Sequence, residues 1–109
     1  MSTLADETAW FLALPSGKRA EFLAWLSHNL TIGIRCFYPP SANGVTDSDR
    51  CRRLNEIMHR VTSYLGHILS GDEDTGWAPI VIAMVLEPED AEIKLQTSQA
   101  WDYAQKSVI

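Results

Sequence analysis

The chain has 109 residues, a formal net charge of −5 and an apolar fraction of 46%. A chain of this length buries about two thirds of the surface its unfolded form exposes, enough for one core, and it sits inside the size range of a single domain. This composition excludes a disordered tail, a collagen-like repeat and a disulfide-rich scaffold. The sign of the charge argues against a protein that wraps nucleic-acid phosphates, so no direct nucleic-acid binding is expected.

The charge is unevenly spread. Residues 15–66 hold seven bases and four acids, +3, whereas residues 67–109 hold two bases and eight acids, −6. Two cysteines, Cys36 and Cys51, are too few for a disulfide framework. Both fall in apolar helical patterns and read as small buried residues in a reducing compartment. The start Met-Ser-Thr-Leu-Ala-Asp-Glu has no basic region followed by a long apolar run, and the longest apolar run, Trp77 to Leu86, is ten residues. A membrane-spanning helix needs about 20. A cytoplasmic chain without a membrane segment, prosthetic group or cofactor is the expectation.

Gly and Pro divide the chain into helical pieces. The first helix is predicted over 4–14, with Thr3 as cap, Asp6 and Glu7 in the first turn, apolar contacts from Leu4, Phe11, Leu12 and Leu14, and Pro15 as its end. Ser16 is the expected cap of a second helix running to Phe37 or Tyr38. Its stripe of Phe22, Leu23, Leu26, Leu30, Ile34 and Phe37 keeps steps of three and four. Pro39-Pro40 stops it, and Ser41 to Gly44 carries turn chemistry.

Thr46 is the expected cap of the third helix, whose Cys51, Leu54, Met58, Val61, Leu65 and Ile68 alternate steps of three and four. That is core packing over a length too short for a coiled coil. Ser70-Gly71 ends it, and an acidic loop to Gly76 follows, with Asp74 or Thr75 as a cap. The run from Trp77 to Leu86 contains Ile80, Val81, Ile82 and Val85, β-branched residues that suit a buried strand. No second strand exists to pair with it unless another chain supplies one, so a short buried helix is predicted. Pro88 is the expected start of a last helix with Ile93, Ala100, Trp101, Ala104 and Val108 inside. The fold class is therefore all-α: one helical domain over 1–109, an irregular bundle of four or five helices.

Four constellations could carry function. Glu56 and His59 have the Glu-x-x-His spacing that places a carboxylate and an imidazole on one helix face. With His28 or His67 they could hold a metal or small ligand, although a solvated polar pair is the plainer reading. Asp72 to Gly76 lacks the Gly and Glu that a calcium loop needs at its sixth and twelfth positions. Arg35, Arg50, Arg53 and Arg60 form a cluster suited to an anion or an acidic partner. The plainer reading gives these guanidinium groups to the chain's own acidic C-terminal third and, for Arg52 and Arg60, to i,i+4 pairs with Glu56. Trp10 and Trp25 lie off their helices' apolar lines and Trp77 opens the apolar run, which makes all three interface candidates.

No phosphate-binding loop, nucleophile elbow or paired Cys-x-x-Cys occurs. The leading expectation is a small non-catalytic helical protein of interaction or regulation, with a protein partner or a second copy as its mate. The alternatives are a ligand- or metal-binding bundle and an acidic mimic of nucleic acid.

Overall fold

A computed structural model describes residues 3–38, 48–72 and 76–108. Five helices follow in chain order: α1 (Leu4–Ala13), α2 (Ser16–Phe37), α3 (Asp49–Leu69), α4 (Trp77–Leu86) and α5 (Ala91–Val108). No strand occurs among the described residues. The radius of gyration, 13.9 Å, is near the roughly 13 Å of a compact chain of this length.

The helix ends follow from local hydrogen-bond chemistry. Thr3 caps α1 in a reciprocal box: its hydroxyl accepts from the Asp6 N–H, and the Asp6 carboxylate accepts from the Thr3 N–H, both at 3.1 Å. Ser16 does not cap α2. It is the first helical residue, behind Pro15, and no side chain satisfies that terminus. Arg19, at the place where a capping box wants Glu, instead donates backwards to the Leu14 carbonyl. For α3 the cap is Ser48, which accepts from the Cys51 N–H. The expected caps Thr46, Asp74 and Thr75 lie outside the described residues.

Helix α3 ends in a Schellman motif. Gly71 adopts φ 79°, its N–H bonds to the Ile68 carbonyl at 3.1 Å, and the Asp72 N–H reaches the His67 carbonyl at 2.9 Å. The last helix starts later than Pro88 implies. Asp90 is its capping residue, accepting from the N–H groups of Glu92 and Ile93.

Helix α2 is the hub, packed between α3 and α5, while α4 closes the bundle against α1, α3 and α5. The contacts Ser27–Thr62 and Thr31–Met58 run in opposite senses along α2 and α3, so these helices are antiparallel. An aromatic cluster fills one end. Phe22 packs edge-on against Trp10 and Trp101 at 5.2 and 4.8 Å, and Phe11 bridges Phe22 to Tyr64.

The buried set departs from the sequence stripes in three places. Leu12 and Phe37 are exposed. Cys36 is exposed too, and only Cys51 is buried. On α3 the buried residues are Cys51, Leu54, Ile57, Val61, Tyr64 and Ile68, with Met58 and Leu65 half-buried beside them.

Candidate functional site

The one helix that is apolar on every side is α4, Trp-Ala-Pro-Ile-Val-Ile-Ala-Met-Val-Leu. Ala78, Val81, Ile82 and Val85 face the core. A ten-residue helix on the outside of a small bundle has a second face, and here that face is apolar as well. Trp77 is 40% exposed and Ile80 65%. Met84 continues the row at a helical step and is half-buried.

Beside this row runs a polar row of α3, Arg53, Glu56, Arg60 and Ser63, spaced three, four and three. The two rows border a groove. Glu56, Arg60, Ser63, Trp77, Ile80 and Met84 line a cleft of about 350 Å³ at one end. At the other end Arg53, Ile57, Met84, Glu87 and Glu89 line one of about 270 Å³. Met84 borders both. The pairing of Arg60 with Trp77 and Ile80, and of Arg53 with Glu87, shows that α3 and α4 are antiparallel.

The guanidinium groups are used unequally. Arg50 reaches the acidic third of the chain: its Nε donates to Asp90 at 3.0 Å and its Nη1 to Glu92 at 2.6 Å. The Arg50 hydrogen bond holds the Asp90 carboxyl below the usual carboxylate range, with help from the Ile93 N–H. Asp90, chiefly, raises the affinity of Arg50 for its proton. Arg53 pairs with Glu56 at 3.0 Å, and Arg52 pairs with Asp49. Glu56 therefore takes its partner from position i−3, not from Arg52 or Arg60 as the i,i+4 rule implied. The three-residue step lets the Arg53 side chain fold along the outside of its own turn. Arg60 has no ion pair or hydrogen bond among the described residues. Arg35 stands exposed in the last turn of α2, where a cation suits the helix dipole.

The histidines are dispersed. His28 and His59 are exposed, on α2 and α3. His28 lies by Trp25, with ring centres 6.1 Å apart. His67 packs edge-on against Trp77 at 4.5 Å, with Asp72 at 3.7 Å from its Nδ1, and so fixes the indole at the mouth of the groove. No group of three His, Cys, Asp or Glu side chains that could hold a metal occurs among the described residues. The tryptophans divide likewise. Trp101 is buried and Trp10 is half-buried in the aromatic cluster, whereas Trp25 and Trp77 are exposed.

The acids of the last third are divided too. Asp90 and Glu92 belong to Arg50, and Asp72 sits by His67. Glu87 and Asp102 border a shallow depression that also contains Lys94. No helix among the described residues is long and apolar enough to cross a membrane.

Ile80 and Met84 are the apolar site residues that sequence reasoning did not single out. Their signal was the all-round apolar character of residues 77–86, which more than fills one core-facing stripe. No protein-family model, curated protein or solved structure matches the chain.

Proposed function

We propose that this protein is a small helical interaction protein that works by docking through the α3–α4 groove, without catalysis. The observation that carries the reading is the juxtaposition of Trp77 and Ile80, both well exposed, with Arg60, whose charge is uncommitted among the described residues. Exposed aromatic and aliphatic side chains beside an arginine are the combination that concentrates binding energy at protein interfaces. A groove between two antiparallel helices also suits a helical occupant.

Site-directed photo-crosslinking in the native cell tests this. A photo-reactive phenylalanine analogue at position 80 is expected to give a discrete protein adduct. The same group at position 103, equally exposed but on α5, is expected to give none. Absence of any adduct from position 80, with the variant folded, would overturn the proposal.

A further inference from the structure

The groove is not uniform along its length. At its Trp77 end the rim carries Arg60 and Glu56, the latter held by Arg53. At the other end it carries Glu87 and Glu89, with Arg53 drawn towards Glu56. With Arg53 and Glu56 paired to each other, the remaining charge is Arg60 at one end and Glu87 and Glu89 at the other, separated by the apolar row Trp77–Ile80–Met84. Trp77 to Glu87 spans ten residues, or about 15 Å at 1.5 Å per residue.

We propose that a second copy of the chain covers this face, docked about a two-fold axis that lies in the plane of contact and crosses the groove between Ile80 and Met84. This rests on the docking reading above and names its partner. A two-fold axis there reverses the groove end for end. The apolar row of one copy then lies on that of the other, and each Arg60 meets the Glu87 of its mate. Such an isologous contact is self-complementary by construction, since each pair occurs twice. A foreign acidic helix would satisfy the Arg60 end and be repelled at the Glu87–Glu89 end. The gradient of charge therefore favours self-pairing over an acidic partner.

Light scattering of the full chain over rising concentration reads this directly, with 12.2 kDa as the mass of one copy. The mass is expected to climb from one chain to two. Arg60→Glu or Glu87→Arg alone is expected to weaken association about tenfold or more, and the double variant to recover to within about threefold of the wild type. Both side chains are on the surface, and a cation at position 87 suits the C-terminus of α4, so these variants keep the fold. Far-UV circular dichroism checks that they do. Ile80→Asp is expected to abolish association, and Tyr103→Asp to leave it unchanged.

A wild type that stays at one chain up to millimolar concentration overturns the proposal, as does a double variant no better than the singles. Crosslinking at position 80 separates the two readings. An adduct of twice the chain mass supports self-pairing. A heavier or lighter adduct keeps the docking reading and overturns the second copy as its occupant. No adduct overturns both.

Discussion

The carboxylate of Glu7 is where the first helix is tied to the last. Its Oε2 accepts from the Trp101 indole N–H at 3.0 Å and from the Gln105 amide at 2.8 Å, a link across 94 and 98 residues of chain. Hydrogen bonds to a charged group contribute about 1.5–3 kcal/mol, and the indole N–H of a buried Trp is left unsatisfied without one. Glu7→Ala is therefore expected to cost about 2 kcal/mol in urea denaturation. Glu7→Gln keeps a neutral acceptor and should cost about half as much. An Ala variant as stable as the wild type would show that water replaces the carboxylate without loss. Nothing in the sequence around position 7 announces this role. An acid in the first turn is accounted for by the helix dipole alone, and its partner lies at the far end of the chain.

A second residue-scale expectation concerns acid. Asp90 has its proton affinity lowered in the folded chain, first by Arg50 and then by the Ile93 N–H. A carboxyl whose folded pKa lies below its unfolded value contributes stability above the unfolded value, here 3.8, and loses it as the pH falls through the folded one. Arg50 stays charged throughout and adds no slope. Melting temperatures taken from pH 5 downwards should fall less steeply in Asp90→Asn than in the wild type. Parallel slopes would remove Asp90 from the acid response.

At the scale of the element, α3 shows what periodicity reveals and what it misses. The positions Cys51, Leu54, Val61 and Ile68 were legible because any core-facing helix buries them. The choice between Ile57 and Met58, and between Tyr64 and Leu65, was not, because it depends on neighbours. Helix α3 has two: Met58 turns to α2, where it meets the Thr31 hydroxyl, and Ile57 turns to α4. Two partners need a face wider than one strict stripe. Helix ends were legible where a side chain or glycine decides them, as at Thr3 and Gly71, and less so at α5, where Asp90 outranks Pro88.

Gly71 and α4 give the tests at this scale. Gly71→Ala forces a side chain into the left-handed region, which is expected to cost about 1–2 kcal/mol although nothing crowds the added methyl. On α4, Ile82 is buried and Ile80 is not. Ile82→Ala should cost about 2–5 kcal/mol and Ile80→Ala less than about 0.5. Equal costs at the two positions would mean that α4 does not sit as described, and the groove would lose its apolar wall. Half of that groove was readable beforehand: Arg60 and Trp77 stand out by type, whereas Ile80 and Met84 look like core until the helix is placed.

For the molecule as a whole, the arrangement makes α2 indispensable and the aromatic cluster its anchor. Helix α2 lies between α3 and α5, and Phe22 near its start touches Trp10 of α1 and Trp101 of α5, with Phe11 joining it to Tyr64 of α3. Three helices thus meet at one fully buried ring, and α3 joins them through Phe11. Truncating a buried Phe to Ala costs about 3–5 kcal/mol, and a domain of this size has about 5–15 kcal/mol in total. Phe22→Ala should therefore remove much of the margin. Since no helix in the set buries its apolar face without the others, far-UV and near-UV circular dichroism should be lost together in one transition, shifted to lower temperature. Phe22→Leu refills most of the volume and should recover most of the loss, while leaving the near-UV signal changed because the edge-on packing against Trp10 and Trp101 is gone. None of these rings lines the groove between α3 and α4, so any self-association should survive Phe22→Leu at temperatures where the variant is folded. Loss of association in a folded Phe22→Leu protein would mean that the α3–α4 face is held in place from the aromatic end of the bundle, and that docking and core packing are one system rather than two.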